Sequence, residues 1–384
     1  MQRLHGITKH YAWGSTTLLS DLRGEAPSTA PEAEIWYGAH PAGQSTFDDG
    51  TTLLSHIEQA PLEMLGQAVV DRFGVQLPFL LKLLAANQPL SIQVHPTAEQ
   101  ARVGFAAEQQ ACVDRDAPER SFGDSNHKPE LIAALTPFEA LVGFRDVDAT
   151  IPLLSALDAD ANFVKTLNEH GSIAAVDYLL NATNNVEQTA ADAAISSIVG
   201  GANRYDGETW ADEADLIKRL SIIYPNDPGI GVATLLNRVV LEPGEALFLD
   251  AGHMHAYVSG LGVEIMANCD NVIRGGLTSK HINVESLLDV VSPESFEPRP
   301  LSKDGGRYVS PAPEFALTNI SAGTSTNVSG PAIILGTQAR TTVTTTTGAL
   351  HLAATEAAWI PANEVASAHT TGRAFIATAG LDHI

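Results

Sequence analysis

Four short stretches carry side chains that could grip an ion or move a proton. In "PLSIQVHP" (89–96), Gln93 and His95 stand two apart inside an apolar run. In "GDSNHKPEL" (123–131), His127, Lys128 and Glu130 crowd around a proline that fixes the backbone ahead of an apolar strand. "DAGHMHAYVSG" (250–260) sets His253 and His255 two apart after the apolar "ALFLD". "GVEIMANCDNVIRGGLTSKH" (262–281) spreads Glu264, Arg274 and Lys280 among Gly and Asn turns. Residues two apart on a strand face the same way, so Gln93 and His95 point together into one interior or together out of it. One such pair alone is more often a hydrogen-bonded core histidine with its partner, and the cluster at 127–130 alone could be a solvated turn. Together the stretches offer two or three imidazoles, one carboxylate and one amide. That set suits a borderline divalent ion such as zinc with room left for water or substrate, and the lack of thiolate speaks against a purely structural site.

The elements that would position these groups can be read from the patterning. Strand-like segments such as "AEIWYGAHP", "SIQVHP" and "FEALVGF" alternate with turns and with a helical stretch, "TTLLSHIEQAPLEMLG", as far as about Gly143. From about Asp146 to Tyr224 the spacing becomes helical, as in "SIAAVDYLLNA", "TAADAAISSIVG" and "ADEADLIKRLSII". After "YPNDPGIG" the chain returns to strands. From about Pro298 it is rich in Thr, Ala and Val in short alternating segments, which predicts a β-sandwich or barrel. "GEALFLDAG" (244–252) and "TEAAWIPAN" (355–363) form a faint internal repeat whose second copy continues without a histidine pair. The expected fold class is mainly β with an α insertion. A catalytic barrel is expected from 1–145 and 226–297, a helical domain over 146–225, and a second barrel over 298–384 without a metal site.

Composition removes other classes of function. Lys plus Arg number 22 and Asp plus Glu 45, a net charge of −23 over 384 residues, which repels polyanions. Nucleic acid is therefore not an expected partner. Two cysteines, Cys112 and Cys269, support no disulfide framework and suit a cytoplasmic setting. The N-terminus "MQRLHGITKHYAWG" does not resemble a signal peptide, and the greasiest run, "LPFLLKLLAA", is short for a bilayer and carries Lys82, so no membrane association is expected. A charge in the middle of that run must be paired or must reach into a site.

The motifs "QVHP", "HKPE", "HAYVSG" and "DNVIRGGLTSKH", in this order and divided by a helical insertion, resemble type I mannose-6-phosphate isomerases, zinc-dependent enzymes of the cupin (jelly-roll) fold. "YAWGS" and "EIWYGAHP" resemble the N-terminal motifs of that family. The resemblance spans residues 11–281, and the C-terminal barrel is similar in texture alone. It implies one Zn2+ per chain held by Gln93, His95, Glu130 and His255, with His253 in a structural role or in support of those ligands. It implies a phosphorylated hexose as partner and interconversion of mannose 6-phosphate and fructose 6-phosphate through a cis-enediol. Arg274 would stabilise the enediolate, and Glu264, expected on the strand after His255, would be the base or would orient it. Lys128 would shuttle protons or touch substrate. Ser91, on the face of Gln93, would contact substrate together with Lys82, His127 and Lys280. The expected assembly is a monomer or weak dimer. Two rivals differ in class: another metal-dependent cupin enzyme, a dioxygenase or lyase holding iron on two histidines and Glu130, and a non-enzymatic sugar-binding barrel whose metal only holds the fold.

Overall fold

In the computed structural model, which describes residues 1–115, 117–182 and 184–381, one strand belongs to two sheets at once. In chain order the strands around it are β1 (Gln2–Leu4), β2 (Ile7–Lys9), β3 (Glu34–Tyr37), β4 (Phe79–Ala86), β5 (Ile92–Val94) and β6 (Glu130–Ala134). They continue with β7 (Phe138–Phe144), β8 (Leu236–Leu241), β9 (Ala246–Leu249), β10 (His255–Ala267) and β11 (Ile273–Gly276). The first part of β10 pairs with β7 and β5, giving the order β8-β7-β10-β5-β11. Its second part pairs with β6 and β4, giving β9-β6-β10-β4-β3-β2. All these pairs are antiparallel, and the two sheets sharing β10 make a cupin-type jelly roll.

Between the two parts lies a bulge: Tyr257 faces Ala140 while Ser259 faces Glu139, so β10 spends an extra residue there. An extra residue reverses the in-out alternation of everything that follows. His255 and Tyr257 before the bulge therefore share the barrel interior with Glu264 after it, despite their opposite parity in the sequence. Glu264 lies on the same strand as His255, and not on the following strand as the sequence predicts.

Strand β4 is buried at every position, "FLLKLLAA" included, because both of its faces are covered. One face looks into the barrel and carries Lys82. The other places Leu81, Leu83 and Ala85 in a core shared with Leu335, Trp359 and Phe375 of the C-terminal barrel. That barrel has a seven-stranded and a four-stranded sheet, and β1 joins the larger one by pairing Gln2–Leu4 with Ala357–Ile360. The repeat seen in the sequence is geometric. Glu245 Oε2 accepts from Glu242 N at 2.9 Å and Glu356 Oε2 accepts from Ala353 N at 2.8 Å, each just before the strands Ala246–Leu249 and Ala357–Ile360.

Helices occupy the middle of the chain from Val147 to Thr234. Asp146, Asp160 and Asn184 begin three of them by accepting hydrogen bonds from first-turn amides. Gly171, at φ 81°, kinks Ala161–Leu180. Their apolar faces meet Ile92, Val94, Met254, Ile273 and Leu277 in a second core on the outer side of the other sheet. An ionic cluster reinforces this contact: Glu139 on β7 takes Arg219 at 2.9 Å from the helix Ala211–Ile223 and Arg238 at 2.7 Å from β8.

Leu81→Ala should cost about 2–5 kcal/mol of unfolding free energy, since it opens a cavity between the two barrels. Urea unfolding measures this, and a loss below about 1 kcal/mol would contradict a shared core there.

Candidate metal centre

The elements above bring three ligating side chains together. His95 follows β5 directly, Glu130 opens β6, and His255 opens β10; all three are buried. His95 Nε2 stands 3.2 Å from Glu130 Oε1, and His255 Nε2 stands 3.5 Å from Glu130 Oε2. Each imidazole is held from behind. His95 Nδ1 donates to the Asn271 carbonyl at 2.7 Å, and His255 Nδ1 donates to the His253 carbonyl at 3.0 Å. With Nδ1 committed as donor, the Nε2 of a neutral ring carries a lone pair. Both Nε2 atoms are buried and make no hydrogen bond.

Electron pairs thus converge from three sides where water is excluded, an arrangement that a cation completes. The spacing suits zinc: ligands at about 2.0–2.1 Å from a tetrahedral centre lie about 3.4 Å apart. Charge states agree. Burial drives His95 down to about 4, more than the Glu130 carboxylate pulls it up, so the ring is neutral at pH 7. Burial alone would raise Glu130, but Lys128, with Nζ 3.0 Å from Oε1, leads the groups that hold it well below the usual carboxylate range.

Gln93 enters through strand register. His255 on β10 pairs with Gln93 on β5, which pairs with Arg274 on β11, so the three form one row across adjacent strands. The row leads from the triad into a cavity of about 360 Å³ whose wall includes Ser91, Gln93, Arg274 and Lys280. Tyr11 and Trp13, stacked with centroids 5.7 Å apart, form part of the same wall. Among the described residues, neither Arg274 nor Lys280 has an acidic partner. Desolvation lowers the Arg274 pKa, and the Arg274 charge, more than burial, lowers that of Lys280.

The other expected site residues lie elsewhere. Lys82 is sealed beneath the triad, 2.8 Å from Glu264 and 3.6 Å from Glu34, while Trp36 Nε1 donates to Glu34 at 2.7 Å. Burial opposes the Lys82 charge, yet Glu264 and Glu34 outweigh it and the pKa is raised. Glu264 is raised too, by desolvation first. His127 turns to Glu314 of the C-terminal barrel at 2.7 Å. His253 packs against Phe296, the rings tilted by 41° with centroids 4.5 Å apart.

Sequence reasoning missed Tyr257, whose hydroxyl lies 3.5 Å from Glu130 Oε2, although its position two beyond His255 on the same strand was a usable signal. It missed Glu34, the further partner that a buried lysine called for. It also missed Asn271, whose carboxamide binds Gly123 N at 2.8 Å and the Asn126 carbonyl at 2.8 Å and so shapes the loop before Glu130. No local pattern announces that last role.

Residues 1–147 match the family model for the catalytic domain of type I phosphomannose isomerase. The chain is 43% identical over 309 residues to the mannose-6-phosphate isomerase of Salmonella typhimurium, covering 78% of this chain and 76% of that protein. It is 37% identical over 381 residues to the mannose-6-phosphate isomerase of Escherichia coli, covering 95% of each. A crystal structure of mannose 6-phosphate isomerase from Salmonella typhimurium bound to its substrate and to zinc matches with a TM-score of 0.88 at 37% identity, covering 99% of both chains.

Two outcomes are expected. Zinc at a hundred times its Kd should stabilise the protein by about 2.7 kcal/mol, and Glu130→Ala should lose both this gain and the bound metal, read by calorimetry and elemental analysis. In metal-free protein the unfolded chain protonates His95 near 6.5 and the folded chain only near 4. The stability from keeping this ring neutral is full above pH 6.5 and disappears as pH falls from there to about 4. Metal-free His95→Gln should lose stability less steeply across that window, and equal slopes would contradict the assignment.

Proposed function

The chain belongs to the type I phosphomannose isomerase (mannose-6-phosphate isomerase) family, and on that premise we propose that it interconverts mannose 6-phosphate and fructose 6-phosphate in the cavity next to the buried triad. One observation carries the reading: His95, Glu130 and His255 converge beside a pocket that contains two cations with no acidic partner among the described residues. A metal-ligand set gives a place for sugar oxygens, and free cations give places for the enediolate and for a phosphate dianion.

Moving hydrogen from C2 to C1 requires that the C2 proton leave, that charge gather on the neighbouring oxygens in the enediol, and that the proton return at C1. Gln93, His95, Glu130 and His255 would hold the zinc ion, which when bound supplies Lewis acidity to those oxygens. Lys128, 3.0 Å from Glu130, is assigned the hydroxyl proton transfer: as the ammonium that meets the Glu130 charge it gives a proton to O1 and takes one back from O2, while the carbon-bound proton leaves C2 and returns to C1, so no atom is gained or lost. Arg274, next to Gln93 in the cross-strand row, stabilises the enediolate without changing its own protonation state. Lys280 and Ser91 receive the phosphate end.

Glu264 takes the orienting role rather than that of base, because its carboxylate is engaged by Lys82 and enclosed. Lys82 correspondingly acts from the barrel floor: with Glu34 and Glu264 it fixes the charge balance under Glu130. His127, bound to Glu314, positions the loop that delivers Lys128.

A coupled assay for fructose 6-phosphate formed from mannose 6-phosphate tests the reading. Chelation should abolish turnover and zinc should restore it. Arg274→Ala should lower kcat/KM on the order of a hundredfold while zinc content stays at one per chain. A zinc-loaded protein without turnover, or a fully active Arg274→Ala, would overturn the reading. Oxygen uptake after iron loading would favour the dioxygenase rival.

A further inference from the structure

The stretch "YPNDPGIG" (224–231), which ends the long helices and returns the chain to the barrel, has no part in the chemistry above, yet it grips the cationic wall of the cavity at two points. Tyr224 lines the cavity and donates its hydroxyl to the Pro89 carbonyl at 2.7 Å, two residues before Ser91. Asp227 reaches the neighbouring segment that leaves β11. Its Oδ1 accepts from Leu277 N at 2.8 Å and from Gly229 N at 2.7 Å, and its Oδ2 accepts from Thr278 N at 3.0 Å. The charge of this carboxylate is thus directed at backbone amides of the loop that carries Lys280.

That loop needs such a hold. Leu277 sits at φ 52°, in the left-handed region that a leucine rarely adopts. Gly276, at φ 131°, passes so close to Gly229 that a Cβ on it would lie 2.3 Å from the Gly229 Cα. Beyond this point Thr278 Oγ1 accepts from Lys280 N at 3.1 Å, and the loop turns its cation toward Arg274. Arg274 and Lys280 repel each other, and no acidic side chain among the described residues stands between them. Backbone restraint must therefore keep the two cations on one cavity, and Asp227 supplies it with charge-assisted hydrogen bonds.

The geometry points to Asp227 as a positioning residue for phosphate recognition: it pins residues 277–280 so that Lys280 stays at the phosphate end of the cavity against the repulsion of Arg274, and it makes the end of the helical module part of that site. This rests on the reading of the cavity as the seat of a phosphorylated sugar. The ligand chemistry it serves is a phosphate monoester.

Asp227→Asn keeps one carboxamide oxygen for Leu277 and Gly229 but sets an amide donor against Thr278 N. In the zinc-loaded variant, KM for mannose 6-phosphate and the Kd of inorganic phosphate, read by calorimetry, should rise together by about tenfold, the size of one charge-assisted hydrogen bond. Zinc content and kcat should stay within about twofold of the parent. Asp227→Ala should move both constants further in the same direction, and if it does not fold, Asp227→Asn alone decides. Unchanged KM and phosphate Kd in folded Asp227→Asn would overturn the inference, as would a fall in zinc content and kcat at constant KM. If the parent binds phosphate and Asp227→Asn does not, but neither turns over, the isomerase reading fails and the positioning role stands. If the parent isomerises and Asp227→Asn matches it in both constants, only the positioning role fails.

Discussion

Glu130 keeps a negative charge where water does not reach it, and much of the first barrel is arranged around that charge. An ionised carboxylate taken out of water is costly unless its oxygens are engaged and its charge is met. Lys128 meets the charge from one side, and the Nε2 atoms of His95 and His255 face the oxygens from another without donating to them. Lone pairs aimed at a carboxylate would be a defect in an ordinary core. They make sense where a divalent ion belongs among them, and the backbone carbonyls of Asn271 and His253 commit the two rings to that arrangement by fixing the hydrogen at Nδ1.

The same constraint explains the second buried layer. Lys82 lies below with Glu264 and Glu34, and the two carboxylates more than offset the cost of burying its ammonium. Register alone makes this possible: Lys82 pairs with Glu264 on β10 and with Trp36 on β3, so lysine, glutamate and tryptophan meet on one face. The alternate residues of the same strands are apolar and face the other barrel. A strand that is polar-in and greasy-out has to be covered outside, which gives the C-terminal barrel its physical task despite having no comparable cluster of ligands among the described residues. Its reach extends to Glu314, which holds His127 beside Lys128.

What the sequence made legible follows from these rules. Gln93 and His95 could be placed on one face because strand parity is local, and the helical module could be outlined because 3.6-residue periodicity and Asp or Asn caps are local as well. Glu264 was harder. Its parity set it against His255, and the bulge at Tyr257 and Ser259 that reconciles them depends on which strands flank β10. Lys82 was visible as an anomaly in an apolar run, but its carboxylate partners lie on strands remote in sequence. The first strand, Gln2–Leu4, reads as part of the leading segment, and its pairing with Ala357–Ile360 is a contact between the two ends of the described chain that no short-range pattern encodes.

The acidic excess of the chain poses a last problem for a phosphorylated ligand. At −23 the overall field opposes a dianion, and screening at physiological salt confines any helpful potential to about 8 Å. Attraction must therefore be local and undiluted, so cations near the cavity cannot spend their charge on neighbouring carboxylates. Lys82 and Lys128 do spend it, since the triad and the barrel floor require them. Among the described residues Arg274 and Lys280 find no carboxylate to spend it on, and two such cations side by side are held against their own repulsion by the chain that carries them. The loop at 277–280 is braced by backbone amides on a carboxylate and not by an ion pair, which leaves both positive charges available to whatever enters.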